Sequence, residues 1–306
     1  MNRINSVKSL IKNSIVLFSI VLLTHSCKIK DDSINPADYE LYISISSDKY
    51  PSVSPDGNLI AYYHKSLEYP EPAENPTGLY VMKMDGTNKR LLFSGEHWTP
   101  HWSPDGQWLT FSSNGTIEII KIDGDSIRTC QGINDVPLFY PDWSKNGKMI
   151  LMNSPYVNGG GVFISDPQFK FVRQLFDQTK FSGFSAQWVP DMSKIIYEKV
   201  SHEWTGGEIF IMDTLGINDS RIINDNLDDR NPTLSNNGNL ITWSRNMQIM
   251  VMNANGTKLK TLDYGQFPSW SPNSDYIIYS NANSDRTKEV LWKINFDGTN
   301  KTQLTY

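Results

Sequence analysis

Five histidines are spread through the 306-residue sequence, and imidazole is the side chain readiest for acid–base or metal chemistry near neutral pH. Four of them, His64, His97, His101 and His202, lie in the body of the chain, far apart in sequence. Only the fold could bring them together on a metal, so no metal site is expected. Asp228 and Asp229 stand beside Arg230; adjacent carboxylates diverge on an extended chain, and the trio reads as a solvated turn. The sequence has no G-x-S-x-G elbow, H-E-x-x-H, phosphate loop or dinucleotide fingerprint. Gly159-Gly160-Gly161 reads as a flexible loop before a strand. No catalytic residue and no cofactor are expected.

These residues are embedded in a repeat. Its copies are Pro51-Ser-Val-Ser-Pro-Asp-Gly57, Pro100-His-Trp-Ser-Pro-Asp-Gly106, Pro141-Asp-Trp-Ser-Lys-Asn-Gly147, Ala186-Gln-Trp-Val-Pro-Asp-Met192, Pro232-Thr-Leu-Ser-Asn-Asn-Gly238 and Pro268-Ser-Trp-Ser-Pro-Asn-Ser274. Each precedes a short apolar run such as Leu59 to Tyr62 or Trp108 to Phe111, rich in β-formers. An alternating stretch, an Asp-Gly or Asn-Gly turn and a weaker fourth strand follow. Four strands at intervals of about 36 to 49 residues is the spacing of a propeller blade.

The signature's chemistry is structural. Proline presets the turn, Asp bonds back to the backbone and Gly takes the left-handed conformation. The tryptophan fills the space between sheets, and the proline two residues earlier belongs on an edge strand.

These Trp-Ser-Pro-Asp-Gly repeats resemble those of the TolB-type propeller over residues 41–306. Lys145, Met192, Asn236 and Asn273 depart from the motif. The resemblance implies an all-β fold, a six-bladed β-propeller of four-stranded antiparallel blades. Lys28 to Glu40 is too short for the N-terminal α/β domain of TolB, so the likeness is to the propeller alone. The strand Leu41 to Ser46 is expected to join the last blade and close the ring.

In such a ring the long connections gather on one face, where loops on a rigid scaffold commonly bind. They carry His64, Tyr69, His97, Trp98, Asp135, Tyr156, His202, Glu203, Trp204, Asp228, Asp229, Arg230, Asp285 and Arg286. Aromatics mixed with carboxylates and arginines suit glycan stacking or a protein hot spot; an ordinary loop surface fits them as well. The residue before each signature tryptophan or its counterpart is polar: Ser52, His101, Asp142, Gln187, Thr233 and Ser269. They either line a ligand-holding pore or bond between innermost strands.

Residues 1–27 read as a lipoprotein signal peptide, with Arg3, Lys8 and Lys12 before the apolar stretch Ile15 to Leu23. Ser26-Cys27 resembles the site at which such peptides are cut and the cysteine acylated. Residues 28–40 then form a polar linker, and Lys28 together with Lys30-Asp31-Asp32 points to an outer-membrane destination. With Cys27 acylated, Cys130 is the one remaining thiol, and its Thr129 and Gln131 neighbours suggest a structural place on an outer strand. The 28 basic and 33 acidic residues give a net charge of -5, with no basic block for nucleic acid. The expectation is a monomeric envelope protein that binds a protein or glycan without catalysis. The alternative is a propeller enzyme acting on polysaccharide, a lyase or hydrolase, at the channel mouth.

Overall fold

The computed structural model describes residues 46–306 except 69, 70, 125, 131–135, 155–160, 178–180, 202–205, 224 and 226. They belong to one compact unit, 43–306. Its regular structure is entirely β among the described residues, in 24 strands. The first four are β1 (Ser46–Val53), β2 (Leu59–Ser66), β3 (Gly78–Lys83) and β4 (Arg90–Ser94). The next are β5 (Trp98–Trp102), β6 (Trp108–Ser113), β7 (Thr116–Lys121) and β8 (Ile127–Cys130), followed by β9 (Phe139–Trp143), β10 (Ile150–Ser154), β11 (Gly161–Ser165) and β12 (Val172–Asp177). Then come β13 (Phe181–Trp188), β14 (Lys194–Ser201), β15 (Gly207–Asp213) and β16 (Ser220–Arg221), and β17 (Asp229–Leu234), β18 (Leu240–Arg245), β19 (Gln248–Asn253) and β20 (Lys260–Tyr264). The last are β21 (Gln266–Trp270), β22 (Tyr276–Ala282), β23 (Lys288–Asn295) and β24 (Thr302–Gln303).

The expected set of six four-stranded blades is corrected by the sheet pairing. Four separate four-stranded antiparallel sheets are present, β5–β8, β9–β12, β13–β16 and β17–β20. The other eight strands form one sheet, in which β1 runs parallel to β23 through Ser46↔Lys288 and Ser47↔Glu289. A repeat counts strands per unit but carries no signal for a parallel pairing between residues 240 apart or so, which only the closed backbone creates. The strand expected over Leu41 to Ser46 lies, except for Ser46, outside the described residues.

The first strands touch in order, β1 to β5, β9, β13, β17, β21 and back to β1. Each carries an interruption of its ladder. At each interruption sits a non-glycine residue in the left-handed region: Tyr50, Thr99, Tyr140, Ser185, Asn231 and Phe267, with φ from 48 to 55°. Five of the six precede a proline, whose missing N–H would interrupt the ladder there in any case.

The turns use the chemistry read from sequence. Ser54 Oγ donates to Asp56 Oδ1 at 2.5 Å, the Asn58 amide donates to the same oxygen at 3.1 Å, and Gly57 has φ +75°. Asn146 and Asn237 replace Asp and accept the same bonds from Ser144 and Ser235. Met192 and Ser274 hold the left-handed position at φ 60° and 65°. The signature tryptophans pack between neighbouring sheets: Trp102 joins Ala61, Leu79 and Val81 of the preceding strands, and its Nε1 donates to the Ser52 carbonyl at 3.0 Å. Cys130 is buried on β8, the outer strand of its sheet, against Ile117, Leu138 and Trp143.

Candidate functional site at the inner ring

The six left-handed residues occupy one register position of the innermost strands, so the side chains there share one level of the ring. Tyr50 and Phe267 meet across the β1–β21 seam with ring centroids 4.2 Å apart, and Tyr140 meets Phe184 of β13 edge-on at 6.3 Å. Burial raises the phenol pKa of Tyr140, and Tyr50 and then Glu198 add to it. Tyr50 is likewise raised by burial and by Glu289. Both phenols therefore stay protonated as hydrogen-bond donors at any physiological pH.

A bulge frees backbone amides, and the second strand of the preceding sheet takes them. The Tyr140 amide donates to Ser112 Oγ at 3.0 Å, Phe267 to Ser244 Oγ at 3.2 Å and Ala186 to Asn153 Oδ1 at 3.1 Å. Asn231 donates to Glu198 Oε2 at 3.2 Å. Glu198 is thus a carboxylate at a level where the other three latches are neutral. It is 2% exposed, and burial lifts its pKa against the opposing Arg230. Arg230 pairs with it at 2.9 Å and with Asp228 at 2.8 Å. Burial works against the Arg230 charge, yet Glu198 and Asp228 overcome it and raise its pKa. Desolvating two charges costs several kcal/mol per ion on the order given for protein interiors, so a neutral latch would serve the fold more cheaply.

The solvated turn expected at Asp228 to Arg230 is therefore not what forms. The two carboxylates do diverge. Asp228 also accepts from the Gly207 amide at 2.7 Å. Asp229 is buried on β17 and binds Arg245 through both oxygens, at 2.6 and 2.7 Å, and Trp243 Nε1 at 2.6 Å.

Of the polar ring, His101 and Asp142 come together. His101 Nε2 lies 3.1 Å from Asp142 Oδ1, and Asp142 Oδ2 accepts the Trp188 amide at 2.7 Å. These contacts link β5, β9 and β13, the inter-strand role among the two readings. Burial raises the Asp142 pKa, opposed by His101 and the Trp188 amide. The His101 side chain is 35% exposed.

The remaining candidates separate. His64 is buried and bonded to Asp48 and Asn75. His97 is buried against Phe93 and Phe111, its Nε2 on the Ser94 carbonyl, and burial lowers its pKa. Trp98 is half-buried and meets Tyr63 edge-on. Asp285 and Arg286 are exposed in the β22–β23 connection. Tyr69, Asp135, Tyr156, His202, Glu203, Trp204 and Cys27 lie outside the described residues. Among the described residues no three His, Cys, Asp or Glu side chains group as a metal would require. The residues that sequence reasoning missed are Tyr50, Tyr140, Phe267 and Glu198. Their signals were available: the residue immediately before each repeat proline, and the one directly after the apolar run of the second strand.

Residues 68–306 match the model of the family described as TolB beta propeller domain. A search of curated proteins finds no match. The fold resembles TolB from Acinetobacter baumannii with a TM-score of 0.66 at 17% identity, covering 85% of this chain and 63% of that one. A nidogen/laminin complex gives 0.60 at 11% identity, covering 85% and 93%. An oligogalacturonate lyase in complex with manganese gives 0.54 at 10% identity, covering 81% and 89%. At these identities the likeness is one of fold.

Proposed function

From the membership of this chain in the TolB β-propeller family, we propose that it is a non-catalytic binding scaffold of the cell envelope, anchored through an acylated Cys27, whose inner ring takes an extended segment of a protein partner. One observation carries this reading. A single level of the ring combines aromatic faces at Tyr50, Tyr140 and Phe267 with hydrogen-bonding groups at Thr99, Ser185 and Asn231, beside the Glu198–Arg230 pair. Aromatic and arginine anchors concentrate binding energy at protein interfaces, and a backbone segment needs such alternating donors, acceptors and apolar faces. A photo-crosslinking residue placed at Tyr140 or Phe267 in cells, followed by mass spectrometry, is expected to capture a discrete protein. Capture of none, together with binding on a glycan array that Phe267→Ala abolishes, would reassign the site to carbohydrate.

His101 and Asp142 support a second reading, a polysaccharide lyase or hydrolase with the dyad as general base. Turnover of a polysaccharide panel that His101→Asn eliminates would establish it in place of the scaffold.

A further inference from the structure

His64, singled out by sequence, belongs to a cluster away from the inner ring. Asp48 of β1, His64 of β2, Asn75 of the β2–β3 loop and Lys89 just before β4 form one continuous chain of polar contacts. Lys89 Nζ donates to Asn75 Oδ1 at 2.6 Å, Asn75 Nδ2 lies 2.9 Å from His64 Nε2, and His64 Nδ1 lies 2.6 Å from Asp48 Oδ1. The order fixes the roles. With its oxygen claimed by Lys89, the Asn75 amide must turn its nitrogen to His64, and His64 turns Nδ1–H to the Asp48 carboxylate. His64 and Asp48 are buried, at 2% and 6%. The Lys89 stem is exposed, but its nitrogen stands over the Tyr80 ring, 4.7 Å from the centroid, at an open cleft of about 370 Å³ lined also by Glu74, Asn75, Pro76 and Leu91.

We propose that Lys89 and Asn75 are the reactants of an autocatalytic isopeptide bond, with His64 and Asp48 as the pair that positions its departing nitrogen. The neutral Lys89 amine attacks Cγ of Asn75, whose oxygen it already contacts, and the new N–C bond forms. The surplus Nζ proton passes through solvent to Nδ2. His64 Nε2, its ring oriented by the Asp48 carboxylate, accepts from Nδ2–H and holds the departing nitrogen in place, and the Cγ–Nδ2 bond breaks with release of ammonia. The reaction exchanges one amide for another and needs no oxidant or cofactor. Pre-positioned reactants supply much of such a barrier. Burial lowers the Lys89 pKa, against the pull of Asp48 and aided by Lys288, which favours the nucleophilic amine. The product ties the 71–77 loop to the start of β4, an outer strand of the sheet that also holds β1.

The test compares intact masses of the full-length protein and its Lys89→Arg variant under denaturing conditions, so that any N-terminal processing cancels. The wild type is expected to be lighter than the substitution accounts for by one ammonia. Its digest should yield a branched peptide joining the segments that contain Asn75 and Lys89. Asn75→Ala should abolish that peptide, and His64→Gln should slow its appearance in folded protein. A mass difference equal to the substitution alone, with no branched peptide, overturns the proposal. So does the same ammonia loss in Lys89→Arg. Both readouts hold even if His64→Gln fails to fold.

Discussion

Removing the Asp229 carboxylate should be among the most damaging single changes on the ring. Asp229 and Arg245 expose 3% and 7% of their side chains, and Asp229 also holds the Trp243 indole N–H. Asp229→Ala leaves a buried guanidinium short of two bonds and an indole donor with none. Breaking a buried pair from one side costs about 3–5 kcal/mol. Asp225 still contacts Arg245 at 2.8 Å, which places this loss near the lower end, and the orphaned indole adds roughly 1 kcal/mol. A total of about 4 kcal/mol corresponds to a drop in Tm of roughly 8–16 °C for a domain of this size. Urea and thermal unfolding followed by circular dichroism measure it. The double variant Asp229→Leu, Arg245→Met should recover most of the loss, because an apolar pair replaces a buried ion pair at little net cost. A loss below about 1 kcal/mol in Asp229→Ala, or a double variant no better than the single, would refute the reasoning.

Other expectations follow from the same contacts. Because burial raises the folded-state pKa of Asp142, its contribution to stability falls as pH rises from the unfolded value near ~3.9 through the folded one. Asp142→Asn keeps an acceptor for Trp188 and should gain on the wild type over that rise, and urea midpoints at successive pH values would show the opposite trend if this is wrong. The turn carboxylates Asp85, Asp285 and Asp297 have pKa values lowered by threonine hydroxyls and amides. Their contribution is present above ~3.9 and lost as pH falls through the lower folded values, so Asp85→Asn with Asp297→Asn should blunt acid unfolding. Gly86 has φ +84° and an added Cβ would lie 2.3 Å from the Leu304 carbonyl oxygen, whereas Gly124, at φ +86°, has open space. Both alanine variants share the backbone strain, of about 1 kcal/mol or more; Gly86→Ala should lose clearly more in thermal unfolding, and equal losses would deny the close approach at the seam.

The sequence by itself determined the local structure. Each Ser-Pro-Asp-Gly or its Asn variant closes a turn through bonds spanning a few residues, and each signature tryptophan is large enough to fill the space between sheets. Such preferences are short in range, so they are legible wherever the residues stand together. The site was different. Tyr50 and Phe267 stand at opposite ends of the chain, Glu198 reads as one more charged residue, and Asp228, Asp229 and Arg230 read as a polar run. Only the closed ring brings Tyr50 onto Phe267, desolvates Glu198 beside Arg230, and sends the neighbouring carboxylates to different arginines. The eight-stranded sheet is of the same kind. The parallel pairing of Ser46 and Ser47 with Lys288 and Glu289 uses backbone groups, which every sequence carries alike, and their partners are chosen by where the ring ends meet.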